Sequence, residues 1–140
     1  MAKRKAKSRK ATEPVPIKFP PKPALARQFA RVLEIAKRFP GVEESRSYGT
    51  PAIKVQGKIL ARLRSEDEGG LAIRCDMIER NMLVQADPET FYYTDHYADY
   101  PMVLINLESV RWDAMPGIVE RAWRMVAKPK VVEKWDAQTG

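Results

Sequence analysis

Residues 52–75 read AIKVQGKILARLRSEDEGGLAIRC, and this stretch decides the fold class. Apolar and polar residues alternate on both sides of Gln56-Gly57, a dipeptide that favours a two-residue hairpin. Strands are therefore predicted over residues 52–55, 58–64 and 71–75. The turn at Ser65–Gly70 is acidic and contains glycine. Because short turns join the strands, we expect an antiparallel meander with one core face and one wet face.

The alternation also predicts which side chains share a face. In the second strand the core side is predicted to hold Ile59, Ala61 and Leu63, and the wet side to hold Lys58, Leu60, Arg62 and Arg64. Over the whole meander, the basic residues predicted on the wet side are Lys54, Lys58, Arg62, Arg64 and Arg74. Such a face can lie along phosphates. It also suits a solvated sheet that resists edge pairing, so both interpretations stay open.

Helical patterns flank the meander. One apolar stripe begins after Pro23 and holds Leu25, Phe29, Val32, Leu33 and Ala36, with Pro40-Gly41 as the stop signal. Asp76 is predicted to cap a short helix through about Gln85, and Asp113 to cap the last long helix, which Pro129 ends or kinks. A buried strand is predicted over Met102–Leu107. This order of elements predicts an α+β fold, an antiparallel sheet with N- and C-terminal helices packed on it.

The net charge of the chain is confined to its first residues. Residues 1–22 carry eight Lys or Arg and one acid, which gives +7, while residues 23–140 carry 17 of each sign. The segment is also rich in proline and poor in apolar residues, so a disordered basic arm is predicted over residues 1–22. A single folded domain is predicted over residues 23–136. The arm can attract an anionic partner such as nucleic acid, or serve only as a solubilising tail.

Composition excludes several classes of protein. The 140 residues contain 44% hydrophobic residues, enough for one core, but no apolar run near the roughly 18 residues of a membrane span. One cysteine excludes an internal disulfide. One cysteine and one histidine leave too few ligands for a structural zinc site. No secretory signal follows the basic start, so a cytoplasmic location without membrane contact is predicted.

Catalytic motifs are absent from the sequence. There is no GxSxG, Walker loop, GxGxxG or HExxH pattern. A pair of Cys75 and His96 is conceivable, but Cys75 occupies an inward strand position, where cysteine is usually inert. We therefore predict a protein that is not an enzyme and that needs no cofactor or metal.

The segment FYYTDHYADY, residues 91–100, holds five of the twelve aromatic residues. These rings can stack on bases, or they can roof the core. A third possibility is a ligand pocket between the sheet and the His96–Pro101 loop, with His96, Tyr97 and Tyr100 as its candidate residues. The sequence leaves these alternatives open.

A chain of short motifs resembles the MmcQ/YjbR family. The motifs are Phe39-Pro40-Gly41-Val42-Glu43-Glu44-Ser45, Tyr48-Gly49-Thr50-Pro51-Ala52-Ile53-Lys54-Val55, Gly57-Lys58, Ala61-Arg62-Leu63, Asp87-Pro88-Glu89-Thr90-Phe91, His96-Tyr97, Tyr100-Pro101 and Ala122-Trp123. They occur in order from about residue 25 to residue 130. The resemblance implies a frataxin-like (CyaY-like) sheet with helices on one face, and DNA binding through a double wing of strands and loops.

In this sequence the wings would fall on the Gln56-Gly57 hairpin and on the Ser65–Gly70 turn, the second of which is acidic. The frataxin-like arrangement also suggests iron, which would need an acidic ridge on the first helix. That helix offers Glu34 among four basic residues, so iron delivery is not predicted. The resemblance brings no catalytic residues.

The leading hypothesis is a non-enzymatic accessory protein that binds DNA or another nucleic acid. Its predicted contacts are Lys3, Arg4, Lys5, Lys7, Arg9 and Lys10 of the arm and Lys54, Lys58, Arg62, Arg64 and Arg74 of the strand face. The alternative is a module that binds a protein or a small ligand, through His96, Tyr97 and Tyr100, with no role in nucleic-acid binding. The sequence names no protein partner.

Overall fold

The computed structural model describes residues 21–47, 49–64 and 70–139. The predicted arm lies outside the described residues, apart from its last two positions. The acidic turn is also outside them, apart from Gly70. All structural statements below refer to the described residues.

Six strands form one antiparallel sheet, which confirms the α+β prediction. They are β1 (Val42–Ser47), β2 (Thr50–Val55), β3 (Lys58–Leu63), β4 (Leu71–Arg74), β5 (Phe91–Tyr92) and β6 (Met102–Ile105). The spatial order is β1-β2-β3-β4-β6-β5, and every neighbouring pair is antiparallel. Strands β2, β3 and β4 form the predicted meander. Strand β1 was missed because VEESRS has no apolar alternation, and its side chains are half-buried or exposed.

The described residues contain four α-helices and a 3₁₀ turn. The helices are α1 (Pro23–Ala36), α2 (Met77–Ala86), α3 (Met115–Val126) and α4 (Pro129–Thr139), and the 3₁₀ turn is Asp95–Tyr97. The cap predicted at Asp76 is confirmed, because its carboxylate accepts a hydrogen bond from the Glu79 amide at 2.9 Å. The cap predicted at Asp113 is wrong. Helix α3 begins after Ala114, which offers no side-chain cap.

The main core lies between the sheet and helices α1 and α3. We call this side of the sheet its helix-side face. The predicted stripe of α1 is confirmed, since Phe29, Val32, Leu33 and Ala36 are all buried. Helix α3 contributes Trp123, which is fully buried, and its indole N–H donates to the Pro40 carbonyl at 2.9 Å. The backbone of the helix-stop motif is thereby tied to the core.

An aromatic cluster joins α3, α4 and the segment that follows α1. The rings of Phe39, Trp123 and Trp135 lie with their centroids 5.3–5.8 Å apart. Trp135 comes from α4, a helix that the sequence analysis did not predict. Pro129 does not merely end α3, because it begins α4 at the first helical position, where its missing N–H costs no hydrogen bond. Tilted packing of this kind stabilises a core beyond simple burial.

The predicted hairpin turn at Gln56-Gly57 is confirmed. Both residues have positive φ, 52° and 87°, as the type I′ turn requires. Glycine adopts this conformation without strain, whereas Gln56 adopts it at a cost. The Gln56 side chain offsets part of that cost, because its Oε1 accepts a hydrogen bond from the Lys128 amide at 3.1 Å. The hairpin is thus fixed to the start of α4.

The predicted alternation in β3 is interrupted by a bulge. The register pairs Ile53 with Ala61 but Lys54 with Ile59, so Leu60 is one extra residue on β3. Leu60 is fully buried in the helix-side core, next to Ala61, and its predicted place on the wet face is wrong. Lys58, which precedes the bulge, pairs with Val55, a residue of the helix-side core. Lys58 therefore lies on the helix-side face. Strict period-two counting missed the insertion, although Ile59-Leu60-Ala61 is a run of three apolar residues that interrupts the alternation.

Candidate nucleic-acid interface

The opposite side of the sheet is its loop-side face, which the segment 93–101 covers. One row crosses five strands, since Ala52 pairs with Arg62, Arg62 with Ala72, Ala72 with Leu104, and Leu104 with Tyr92. Three of the five predicted basic residues belong to this face by register, namely Lys54, Arg62 and Arg74. A fourth, Arg64, follows the end of β3 and has its guanidinium near Tyr97 of the covering segment. The fifth does not belong to this face.

Lys58 lies on the other side of the molecule. It is exposed and borders a groove between the ends of α3 and α4, together with Arg124, Lys128 and Asp136. The prediction that it shares a face with Arg62 is wrong because the bulge at Leu60 shifts the alternation. Lys58 and the other four residues therefore cannot form one continuous row of cations.

The strand arginines are half-buried and hydrogen-bonded to the sheet. Arg62 Nη1 donates to the Thr50 hydroxyl at 3.2 Å and to the Leu63 carbonyl at 3.3 Å. Arg74 Nε donates to the Ile59 carbonyl at 3.1 Å. The face predicted to be solvent-exposed is thus only partly exposed at these two arginines. These bonds fix the guanidinium groups in place, so a phosphate approaching them would meet preorganised donors.

Arg64 departs most from its predicted exposure, because its accessible fraction is 8%. Its guanidinium lies 5.8 Å from the centre of the Tyr97 ring, within the range of a cation–π contact. Its backbone amide donates to the Gly70 carbonyl at 3.1 Å, which closes the ends of the turn between β3 and β4. Arg64 is therefore a buried residue that packs within the structure, and not an exposed surface cation.

The aromatic segment covers the loop-side face with one ring and exposes others. Tyr97 is buried and packs on Ala72 and Leu104, forming a second, small core. His96 is exposed and meets the Tyr97 ring edge-on at 4.7 Å. Tyr100 is 56% exposed and also meets Tyr97, at 6.5 Å. Tyr97 therefore packs onto the sheet at the place where the sequence analysis put a candidate ligand pocket, while His96 and Tyr100 face solvent.

Arg80 holds this segment in place, and the sequence analysis missed it. Its side chain is 4% exposed and reaches from α2 to the loop. Nη1 donates to the carbonyls of Tyr97, Tyr100 and Met102 at 2.9–3.1 Å. Nη2 donates to the Ala98 carbonyl at 3.0 Å. The guanidinium also stacks on Tyr93, with 3.9 Å between its carbon and the ring centre.

A signal for Arg80 was present in the sequence. Met77, Arg80 and Val84 follow helical spacing, so the arginine falls on the stripe that packs inward. A long cationic side chain on such a stripe needs several acceptors if it is buried. These acceptors are backbone carbonyls of one loop and the strand after it. Every residue has a backbone carbonyl, so residue types in the sequence do not identify them.

The one cysteine and the one histidine lie apart. Cys75 is buried in the helix-side core, while His96 is exposed on the loop over the opposite face. Burial raises the pKa of the Cys75 thiol to about 12, and the carboxylates of Glu79 and Asp76 add to the effect. The thiol is therefore neutral at physiological pH and a poor nucleophile.

Among the described residues, no group of three or more His, Cys, Asp or Glu side chains is placed to hold a metal ion. No helix in the same part of the chain has the length and apolar character to cross a membrane.

Comparison with known proteins identifies the family. A model of the YjbR family matches residues 37–125, well over half of the chain. The chain belongs to the YjbR family. The match covers all of the sheet and ends one residue before the last residue of α3, while α1 and α4 lie outside it.

The relatives carry little functional information. Uncharacterized proteins of Mycobacterium bovis and Mycobacterium tuberculosis are 25% identical over 93 residues, which is 64% of this chain and 72% of each relative. No solved structure matches the chain. The six-stranded sheet of this YjbR-family protein therefore has no solved counterpart among these comparisons. The frataxin-like arrangement stays a prediction.

Proposed function

We propose that this YjbR-family protein is a non-enzymatic accessory protein that binds nucleic acid, with the arm as the main contact. The observation that carries the proposal is the placement of charge. The whole excess of +7 belongs to residues 1–22, and residues 23–140 are neutral. A concentrated run of Lys and Arg binds phosphates by releasing counterions, without reading sequence.

The loop-side face supplies a weaker second contact in this proposal. Lys54, Arg62 and Arg74 lie on one face, and the two arginines have a donor fixed by bonds to the sheet. Their half-buried positions leave fewer donors for phosphate than a fully exposed face would. We therefore expect the arm to account for most of the affinity and the loop-side face for a minor part.

The test is fluorescence anisotropy with a labelled DNA duplex over a series of salt concentrations. In the arm variant, Lys3, Arg4, Lys5, Lys7, Arg9 and Lys10 are all changed to Gln. In the face variant, Lys54 and Arg74 are changed to Gln. A matched control changes Lys37 and Arg38, which follow α1, to Gln. The unchanged protein should show a slope of log K against log salt of about −5 to −7.

The expected order of binding loss is arm variant first, then face variant, with the control near the unchanged protein. The arm variant should also lose most of the salt slope, since about six phosphate contacts are removed. Binding that does not depend on salt, or an arm variant that binds like the control, would overturn the proposal. The same measurement on single-stranded DNA and on RNA identifies the preferred nucleic acid.

A further inference from the structure

A cavity of about 450 Å³ lies at one end of the sheet, bordered by the first turns of α1. Its size is within the range of about 300–1,000 Å³ that small-molecule sites occupy. The wall is built from α1 and the two residues before it, from the ends of β2, β3, β4 and β5, and from the segment after β6. It is separate from the loop that carries His96 and Tyr100.

The floor of the cavity is apolar and firmly held. Leu63 and Leu107 are buried within the helix-side core, with accessible fractions of 1% and 2%. Pro51 is buried as well, and Leu25 covers the cavity from the first turn of α1. A surface of this kind favours an apolar ligand, because the side chains that would contact it are already ordered.

Cationic and neutral polar groups complete the wall. Arg64, which is buried and whose guanidinium lies 5.8 Å from the centre of the Tyr97 ring, and Lys22, which is exposed, are the cationic residues of the wall. The acid of the wall, Glu108, is exposed. Both cations also take part in interactions within the protein, so an anion would join an existing arrangement. Of these two cationic residues, Arg64 is the more buried, and attraction to an anion is stronger where a charge is less hydrated.

The polar side of the wall depends on one glycine. Gly70 has φ of +81°, and a Cβ added there would lie 2.5 Å from the Tyr92 hydroxyl oxygen. The carbonyl of the same residue accepts the Arg64 amide. Glycine at this position therefore lets the tyrosine hydroxyl and the arginine approach one stretch of backbone and line the same cavity.

We propose that this cavity binds a small organic anion, a carboxylate with a flat apolar body. The apolar body would lie on Leu63, Leu107 and Pro51, and the carboxylate would face Arg64. Arginine presents paired donors that match a carboxylate, which a neutral ligand of equal shape does not use. This inference does not rest on the nucleic-acid proposal, because it concerns other residues and another ligand.

The test is an NMR titration of the full chain, labelled with ¹⁵N, using 2-naphthoate as the probe. The neutral control ligand of similar shape is 2-naphthalenemethanol. We expect saturable shifts at the amides of Leu25, Leu63 and Leu107. Since a hydrogen bond to a charged group contributes about 1.5–3 kcal/mol, naphthoate should bind about tenfold tighter than the alcohol or better.

Variants separate the cavity from the rest of the molecule. Ala24→Trp fills the cavity mouth from an exposed position of α1, and Ala30→Trp places the same side chain on that helix away from the cavity. Gln28→Trp is a second blocking variant. Arg64→Gln should remove the preference for naphthoate over the alcohol, and Arg64→Lys should restore part of it.

Each outcome decides the proposal. Binding that is lost in Ala24→Trp and Gln28→Trp but kept in Ala30→Trp supports it, as does loss of the anion preference in Arg64→Gln. Naphthoate shifts that survive both blocking variants would overturn it, since they would come from the arm or from another surface. Equal affinity for naphthoate and the alcohol, or no saturable shifts with either, would overturn it too.

Discussion

The two faces of the sheet are covered by different means. The helix-side face lies under α1 and α3, which pack against each other and bury a continuous core. The loop-side face lies under the segment 93–101, which contributes one buried ring, Tyr97, and is held from α2 by the side chain of Arg80. One cover is a large apolar layer, and the other is a thin layer fixed by polar bonds.

Because of this difference, we expect the helix-side face to determine the stability of the fold and the loop-side face to determine the position of the segment 93–101. Apolar burial is non-directional and scales with area, so the helix-side face should supply most of the free energy of folding. Hydrogen bonds are directional, and four from one guanidinium fix the position of a loop more than they add net stability. The exposed rings of His96 and Tyr100 are thus presented from a loop whose backbone is held.

The largest expected effect comes from breaking the helix-side core. Trp123→Ala removes a fully buried ring that contacts Phe39 and Trp135 and that donates to Pro40. Loss of a buried Trp typically costs about 3–5 kcal/mol. Urea unfolding, followed by circular dichroism, measures the change. A loss below about 1 kcal/mol would contradict the view that this core dominates stability.

Breaking the anchor of the loop-side face should have a smaller and more local effect. Arg80→Met keeps an unbranched apolar stem but removes the guanidinium that donates to four carbonyls. We expect a loss of about 2–3 kcal/mol in the free energy of unfolding. Hydrogen exchange should also speed up across residues 97–102 more than in β2 and β3.

Arg121→Met is the matched control for this variant. Arg121 lies in α3 and makes an exposed ion pair with Glu79 of α2 at 2.6 Å. Exposed pairs contribute about 1 kcal/mol or less. If Arg80→Met and Arg121→Met unfold with the same free energy, and exchange across the loop is unchanged, Arg80 does not anchor the loop.

The smallest effect is a pH dependence at the edge of the helix-side core. The pKa of Cys75 rises from an ordinary 9.0 to about 12 on folding, chiefly through burial. The folded state therefore holds the thiol proton more tightly than the unfolded state does. Its contribution to stability is complete below pH 9 and decreases as the pH rises from about 9 toward 12.

At pH 10 this decrease should reach about 1 kcal/mol. The measurement compares urea unfolding of the unchanged protein and of Cys75→Ala from pH 7 to pH 10, because the variant lacks the titrating thiol. Alkylation by iodoacetamide at pH 8 should be slow in the folded protein and fast in urea. Equal pH profiles for the two proteins, with fast alkylation of the folded one, would show that the thiol is not buried.

Regular patterns in the sequence predicted much of the fold. The stripe from Leu25 to Ala36 specifies α1 because each apolar residue recurs at helical spacing, and Gly57 marks the hairpin because glycine accepts a positive φ angle without strain. Features that depend on residues distant in the sequence were not predicted. The bulge at Leu60 is defined by its pairing with β2, and α4 is held by contacts of Trp135 with α3 and with Phe39.

The candidate interface was predicted less well for the same reason. Residue type and alternation identified the basic residues of the strands, and three of them share a face by register. Their exposure depends on what covers that face, and the cover is a loop from a later part of the chain. The sequence could not show that Tyr97 would bury Arg64, or that Arg80 would reach the carbonyls of that loop.

The edges of the sheet have a consequence for how the protein behaves when concentrated. An unpaired strand edge is a template on which another chain can add, which is how sheets extend into aggregates. One edge here, β1, places Glu43 and Glu44 outward, and charges of like sign on stacked copies repel each other. The other edge, β5, is two residues long. Among the described residues, neither edge offers a long apolar strand, which disfavours the addition of another copy's strand at either edge.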